Sequence, residues 1–239
     1  MTQKRYALIT GASSGIGKAT ALAFADAGIH LILMGRNLAK LEAIAAIVEP
    51  SGVDVQVHAV DFSVLTDIQD RVKAIATSVP HLDIVVNSAG MGYTGLLSET
   101  SLEDWQQVID LNLTSVFQCI QGVLPVLRSQ RSGTIINVAS VAAYQTFPSW
   151  GAYCVSKFGL LALSKTLAAE ERAHGIRVIT ISPGSVNTEL WDTKTVQADF
   201  DRSAMLTPEV VAQSILHTAQ MPPTAVVEEL VLMPNAGTF

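Results

Sequence analysis

Short apolar runs alternate with longer segments of helical period along the chain. The runs are continuously apolar, which is typical of strands in a parallel sheet that is covered on both faces. This alternation predicts an α/β fold, a doubly wound parallel sheet of about seven strands with helices on both faces. The predicted strands cover residues 6–10, 30–34, 53–59, 84–87, 134–138, 178–181 and 229–232. The predicted helices cover residues 16–27, 37–49, 64–79, 102–128, 153–173 and 208–220.

Length and composition narrow the class of protein. No linker, internal repeat or low-complexity tract divides the 239 residues, so we predict a single domain over residues 1–239. The formal net charge of −6 comes from dispersed groups, which argues against a nucleic-acid partner. No apolar run approaches the roughly 18 residues of a membrane span. Cys119 and Cys154 form no C-x-x-C pair, so we expect no metal site and a reduced, cytoplasmic protein.

A glycine-rich turn, "TGASSGIG", follows the first predicted strand. Gly11, Gly15 and Gly17 would let the backbone approach a pyrophosphate at the N-terminus of the next helix. The turn therefore predicts a Rossmann-type dinucleotide site. Its spacing differs from the usual G-x-G-x-x-G, and a merely tight turn is the alternative interpretation.

The end of the second strand indicates which dinucleotide binds. An acid that binds the ribose 2′-hydroxyl of NAD is usual about 20 residues after the glycines. Gly35 and Arg36 stand there instead, and a guanidinium pairs bidentately with a phosphate. We therefore expect NADP(H), with NAD(H) as the alternative if Arg36 is only a surface arginine.

The stretch "GAYCVSK" places Tyr153 and Lys157 four residues apart in a helical pattern, hence on one face. A nearby ammonium stabilises a phenolate, so we expect Lys157 to lower the pKa of Tyr153 and make it a usable proton donor or acceptor. Ser140 ends the buried run "TIINVAS", at the sheet edge where ligands bind in α/β folds. The turns "NSAG" (87–90) and "SPGSVNT" (182–188) follow neighbouring strands at this edge.

Together these motifs resemble the classical short-chain dehydrogenase/reductase family. The resemblance runs from Thr10 to about Thr188 with order and spacing intact. "TGASSGIG" is similar to the family's T-G-x-x-x-G-x-G loop, "NSAG" to N-N-A-G, "YCVSK" to Y-x-x-x-K and "PGSVNT" to P-G-x-x-x-T. Two departures stand out: Ser14 replaces a basic residue that some NADP-using members carry, and Ser88 replaces an asparagine.

The resemblance implies a catalytic set. Tyr153 would be the general acid that protonates a carbonyl oxygen during hydride transfer. Lys157 would lower the pKa of the tyrosine and hold the nicotinamide ribose, and Ser140 would orient the substrate oxygen. Asn112, in an otherwise apolar stretch, would help to hold a water that passes protons to Lys157.

The resemblance also implies a set of cofactor contacts beyond Tyr153 and Lys157. Arg36 would meet the 2′-phosphate, and Asp61 would meet the adenine, unless Asp61 is only a helix-capping acid. The residues expected to cradle the diphosphate are Gly11, Ser13, Gly15, Ile16 and Gly17. The residues expected on the adenosine-ribose side are Asn87, Ala89 and Gly90. The residues expected to fix the nicotinamide carboxamide and nearby phosphate are Val186 and Thr188.

The predicted function is NADPH-dependent reduction of a ketone or aldehyde, reversible as alcohol oxidation. The alternatives are a 3-oxoacyl-thioester reductase of fatty-acid synthesis, for which Arg128 and Arg131 offer a small basic patch, a 3-hydroxy-acid dehydrogenase, and a non-catalytic nucleotide sensor. We expect no membrane partner, and a homo-oligomer, a tetramer or a dimer, since the long helices have wide apolar faces. Residues 187–206 would suit a substrate lid. Residues that would wall a substrate pocket, or merely pack loops, are Met91, Tyr93, Tyr144, Phe147, Trp150, Leu190 and Trp191.

Overall fold

The computed structural model describes residues 4–198 and 200–237. Its strands are β1 (Tyr6–Thr10), β2 (His30–Gly35), β3 (Val55–Ala59), β4 (Ile84–Asn87), β5 (Gly133–Val138), β6 (Ile176–Pro183) and β7 (Glu229–Leu232). They form one sheet in the order β3-β2-β1-β4-β5-β6-β7, and every neighbouring pair is parallel. The predicted doubly wound parallel sheet is confirmed.

The helices follow the predicted pattern with one interruption. They are α1 (Gly15–Asp26), α2 (Leu38–Val48), α3 (Ile68–Ala76), α4 (Leu102–Ile109), α5 (Ser115–Gln130), α6 (Gly151–Glu171) and α7 (Pro208–Ala219). The single helix predicted over 102–128 is wrong in this respect. A π-helical turn at Asp110–Thr114 separates α4 from α5, and such turns occur often at functional sites.

The strands bury both faces, as their continuous apolar runs predict. On β1, Leu8 packs into the cluster beneath α3, α5 and α6. Its neighbour Ile9 packs on the opposite face, in the cluster beneath α1, α2 and α7. Successive side chains of a strand point to opposite faces, so one apolar run serves both layers.

The order of the strands reverses between β1 and β4, and the turns after these strands are in contact. The Thr10 hydroxyl accepts hydrogen bonds from the backbone N–H groups of Ser88 and Ala89, both at 3.1 Å. Gly11 has a φ of +67°, and a Cβ there would lie 2.8 Å from the Ala89 Cα. Ligands of open α/β sheets bind at such a switch point, outside the carboxyl ends of the strands.

Three further observations concern the residues that the structure describes. Within them, no helix combines the length and hydropathy needed to cross a bilayer. No group of three or more His, Cys, Asp or Glu residues in the same ranges could hold a metal ion. Cys119 and Cys154 are buried free thiols.

The packing of α3 against α5 requires a glycine. A Cβ on Gly122 would lie 2.7 Å from the Gln69 carbonyl oxygen and 2.9 Å from the Val72 Cβ. We expect Gly122→Ala to lower the free energy of unfolding by roughly 1–3 kcal/mol, because the added methyl overpacks the contact. Urea denaturation measures this change. Gly35→Ala is the control, since its Cβ would meet nothing closer than 3.4 Å; equal unfolding midpoints for the two variants would contradict the prediction.

Candidate active site

A cavity of about 690 Å³ lies along the carboxyl edge of the sheet. The turns after β1 to β6 all contribute to its wall, from Gly11 through Arg36, Asp61 and Ser140 to Thr188. Parallel strands end at the same edge, so residues distant in sequence meet there. The convergence of strand ends expected from the sequence is therefore present.

The glycine turn forms the wall beside the N-terminus of α1. Gly15 has a φ of +51° and begins the helix. The N-cap Ser14 makes no side-chain capping bond, and the first turn contains no acid. The first backbone N–H groups of α1 thus lack a side-chain partner and favour an anion. The wall residues of this turn are Gly11, Ser13, Ser14, Gly15 and Ile16.

Gly17 belongs to the turn but lies off the wall. Gly17 is buried, and a Cβ on it would lie 2.3 Å from the Gly11 carbonyl oxygen. The sequence places Gly17 in the diphosphate cradle with its neighbours. In the structure Gly17 allows α1 to pack closely on the turn, because no side chain fits between them. Its contact with the diphosphate stays a prediction.

Two cations and one acid line the end of the cavity below β2 and β3. Arg36 is joined by Lys40, which the sequence analysis missed although it follows Arg36 by four residues. The Asp61 carboxylate accepts hydrogen bonds from the Ser63 N–H at 3.0 Å and the Ser63 hydroxyl at 2.7 Å. These bonds, more than the Arg36 charge, lower the pKa of Asp61. Since α3 begins only at Ile68, Asp61 caps a local turn rather than that helix.

Asn87 lies behind the wall and not on it. Its Nδ2 donates to the Asn137 Oδ1 at 2.8 Å, and Asn137 in turn donates to the Ser164 hydroxyl at 2.9 Å. The sequence places Asn87 on the ribose side, but the structure buries it between β4 and β5. The wall residues of this turn are Ser88, Ala89 and Gly90, of which Ser88 was missed.

The segment 187–206, with Asp199 outside the described residues, contributes to the wall at the other end of the cavity. Its role as a substrate lid stays a prediction. Arg202 holds this segment together. It donates to the Asn187 side chain at 2.8 Å, to the Thr188 carbonyl at 2.8 Å and to Asp192 at 2.6 Å. Both Val186 and Thr188 line the cavity, as the sequence predicts.

Ser140, Tyr153 and Lys157 meet at the end of β5. All three line the cavity. The Lys157 Nζ donates to the Val138 carbonyl at 3.1 Å and lies 5.6 Å from the centre of the Tyr153 ring. Tyr153 and Lys157, four residues apart on α6, thus lie on the face of the helix that is directed towards Ser140.

Burial dominates the electrostatics of this trio. It raises the pKa of Tyr153 to about 12, an effect that a hydrogen bond to Ser140 opposes. Burial also lowers the pKa of Lys157 to about 8. The lowering of the tyrosine pKa by Lys157, expected from the sequence, is not what this structure gives, because burial raises the pKa and the hydrogen bond to Ser140 offsets only part of that rise. The phenol is therefore protonated at neutral pH.

Asn112 occupies the π-helical turn and is buried behind the wall. Its Oδ1 accepts from the Met91 N–H at 2.8 Å, and its Nδ2 donates to the Met91 carbonyl and to the Ser156 hydroxyl, both at 3.0 Å. These bonds fix the turn after β4. The proposed water relay to Lys157 stays a prediction.

The candidate pocket residues divide into two groups. The Tyr144 hydroxyl donates to Glu229 at 2.6 Å, and the Tyr93 hydroxyl to Asp104 at 3.4 Å. Neither tyrosine lines the cavity, so both belong to loop packing. The residues that do line it are Met91, Phe147, Trp150, Leu190 and Trp191.

Comparison with known proteins agrees with this geometry. A family model described as short chain dehydrogenase matches residues 5–199. A sepiapterin reductase of Chlorobaculum tepidum is 34% identical in an alignment that is 242 residues long, gaps included. The alignment covers 98% of this chain and 98% of the relative. A 3-oxoacyl-[acyl-carrier-protein] reductase of Synechocystis is 35% identical over 187 residues, 78% of this chain and 76% of the relative.

A solved structure is similar over nearly the whole chain. It is the alcohol dehydrogenase of the archaeon Thermococcus sibiricus complexed with 5-hydroxy-NADP. The TM-score is 0.89 at 29% sequence identity, and the match covers 98% of this chain and 97% of that one.

The lowered pKa of Lys157 makes the stability depend on pH in a defined direction. The folded protein releases this proton near pH 8, whereas an unfolded lysine holds it to about 10.4. Between these values the unfolded state binds more protons, so this group's contribution to the free energy of unfolding rises with pH. We expect Lys157→Met to remove that rise. Its stability relative to the wild type should be greatest at about pH 7 and decline towards about pH 10.

Urea denaturation at each pH measures the difference between the two proteins. Lys18→Met is the matched control, because Lys18 is exposed. A difference for Lys157→Met that stays constant with pH would contradict the prediction.

Proposed function

Because this chain belongs to the short-chain dehydrogenase family, an oxidoreductase family, we propose that it interconverts a ketone or aldehyde and the corresponding alcohol with NADP(H). One observation carries the proposal. Ser140, Tyr153 and Lys157 meet at one end of a cavity whose far end holds Arg36 and Lys40. The cavity thus offers a proton donor and an anion site along one sheet edge.

The residues present fit a phosphorylated dinucleotide. The start of α1 presents N–H groups without side-chain caps, and Gly15 keeps the wall free of a side chain there. Arg36 and Lys40 provide positive charge for a 2′-phosphate. The Thermococcus sibiricus enzyme, similar over nearly its whole length, is complexed with an NADP derivative. These observations support NADP(H), and we propose that Arg36 binds its 2′-phosphate.

The chain's own residues would handle the substrate oxygen and its proton. The bound cofactor would supply or accept the hydride. Tyr153, protonated at neutral pH, would donate its phenol proton to the carbonyl oxygen. The Ser140 hydroxyl would hydrogen-bond the same oxygen and orient it. Lys157, fixed through its bond to the Val138 carbonyl, would hold the ribose.

The thioester-reductase alternative has less support, although the Synechocystis relative bears that name. Arg128 is paired with Glu171, and Arg131 donates to the Ala173 carbonyl. Both arginines lie at the end of α5, which leads into the start of β5. They thus lie at the amino ends of the strands, away from the cavity, so this basic patch gives no support for a carrier protein docked at the cavity mouth. Because they lie away from the cavity, the two arginines also cannot pair with the carboxylate of a 3-hydroxy acid bound there.

The non-catalytic sensor is disfavoured because Ser140, Tyr153 and Lys157 are assembled together. We also propose a homo-oligomer and a cytoplasmic location. The exposed apolar side chains of Phe117 on α5 and Phe158 on α6 support the first. The free cysteines support the second.

Tyr153→Phe tests the acid. Removing the hydroxyl should lower kcat at least about 100-fold, because general acid catalysis contributes about 10²–10⁴. NADPH should still bind, because the cavity keeps its glycine turn and its Arg36 and Lys40 cations. Tyr144→Phe is the matched control, since it removes a hydroxyl outside the cavity and should retain turnover. Steady-state kinetics with a carbonyl panel reads both, and full activity of Tyr153→Phe would show that another group is the acid.

Titrating tryptophan-to-nicotinamide fluorescence tests the cofactor. NADPH should bind at least tenfold more tightly than NADH, a difference of about 1.4 kcal/mol. Arg36→Ala should erase most of that preference by weakening NADPH alone, because only NADPH carries the 2′-phosphate. Arg172→Ala, which breaks an exposed pair with Glu228, is the control and should change neither affinity. Equal binding of the two nucleotides by the wild type would contradict the NADP assignment.

A further inference from the structure

We infer that the carbonyl substrate is a neutral aryl ketone or aldehyde whose ring packs against Trp150 and Trp191. The inference rests on the proposed function, since it places the carbonyl oxygen at Tyr153 and Ser140. It adds the chemical class of the group attached to that carbonyl.

A continuous series of aromatic rings leads away from the reacting hydroxyl. The rings of Tyr153 and Trp150 lie 5.4 Å apart, those of Trp150 and Trp191 5.8 Å apart, and those of Trp191 and Phe200 5.5 Å apart. Each pair meets edge to face, at 69°, 70° and 88°. All four rings line the cavity, together with Phe147. We call Phe147, Trp150, Trp191 and Phe200 the aromatic wall.

The aromatic wall draws on separate parts of the chain. Trp150 immediately precedes α6, and Trp191 and Phe200 come from the segment 187–206. Its rings are half-buried, so they retain surface that a ligand can cover. A planar apolar ring placed among such rings gains both burial and edge-to-face contact.

Three polar groups beside the aromatic wall have partners in the protein. The Trp191 Nε1 donates to the Val186 carbonyl at 2.7 Å. The Thr195 hydroxyl donates to the Gly92 carbonyl and the Thr193 hydroxyl to the Leu190 carbonyl, both at 2.8 Å. These three groups are therefore engaged within the protein and are not free to bind a polar substituent of the substrate.

The charges of the cavity lie elsewhere. Arg36, Lys40 and Asp61 line the end below β2 and β3. Glu189 lies beside the start of α1, its Oε2 3.9 Å from the position of a Cβ on Gly15. Lys157 lines the cavity beside Tyr153, with its Nζ 5.6 Å from the centre of that ring, where we propose that it holds the ribose. Among the described wall residues, no other Lys or Arg is available for a substrate carboxylate or phosphate, whose burial without a partner is costly.

Four ketones of graded chemistry test the inference with NADPH as reductant. They are acetophenone, 2-butanone, 3-oxobutanoate and a trimethylammonium methyl ketone. We expect kcat/KM for acetophenone to exceed that for 2-butanone at least tenfold, as contact with two rings allows. The carboxylate should react at least about tenfold less well than 2-butanone. Preference for the trimethylammonium ketone would make the aromatic wall a cation cage and overturn the inference.

Variants of Trp191 locate the preference. Trp191→Ala should lower the ratio of kcat/KM for acetophenone to that for 2-butanone about tenfold. Trp191→Phe keeps a ring but loses the bond to Val186, and should largely retain the ratio. Trp105→Ala is the matched control, because Trp105 lies on α4 away from the cavity. If the ratio fell equally in Trp191→Ala and Trp191→Phe, the effect would come from the lost hydrogen bond to the Val186 carbonyl rather than from the lost ring. That result would overturn the inference.

Binding measured without turnover separates the two proposals. Quenching of tryptophan fluorescence by 1-phenylethanol and by 2-butanol gives their affinities with and without NADPH. At least tenfold tighter binding of the aryl alcohol supports the inference, even if no ketone is reduced and the proposed reaction fails. Equal affinities for the two alcohols overturn it, even if 2-butanone is reduced and the proposed reaction holds.

Discussion

The site depends on the close approach of two turns at the middle of the sheet. The Thr10 hydroxyl binds two successive N–H groups of the turn after β4, and Gly11 packs directly on Ala89. Gly17 has no Cβ, and a Cβ there would collide with the Gly11 carbonyl oxygen. The glycine therefore allows α1 to pack directly on its own turn. These contacts set the distance between the glycine turn after β1 and the turn after β4, which both line the cavity. Without them the two ends of the cavity would not face the same ligand.

Much of the fold could be predicted because its strands are buried on both faces and leave continuous apolar runs. The predicted strands agree with the structure to within a few residues at each end. The π-helical turn could not be predicted, since its residues continue an ordinary helical pattern. Only the turn after β4, which supplies the backbone of Met91, explains why Asn112 must project from the helix at that point. That partner is distant in sequence.

The spacing of the motifs predicts that the site residues lie in one region, but it does not predict which way each side chain faces. Gly17 and Asn87 both belong to the expected turns, yet neither lines the cavity. Gly17 packs against Gly11, and the Asn87 side chain donates a hydrogen bond to Asn137 on the neighbouring strand. Lys40 was missed although Arg36 had been chosen, because a lysine on the first turn of a helix resembles any exposed residue. The pKa values show the same limit, since burial of Tyr153 and Lys157 depends on everything packed around them. A four-residue spacing predicts neighbours, not their solvation.

The bond from Thr10 to Ala89 joins residues 79 positions apart, and this separation affects how the protein is made. Contacts between distant residues form slowly, because a long chain must be closed before they contribute. On the ribosome, the glycine turn and the first three strands emerge well before the strand against which the turn must pack. During that interval the anion-binding turn has no opposite wall. A nucleotide can therefore stabilise the finished fold by mass action, but it cannot guide the early steps of folding.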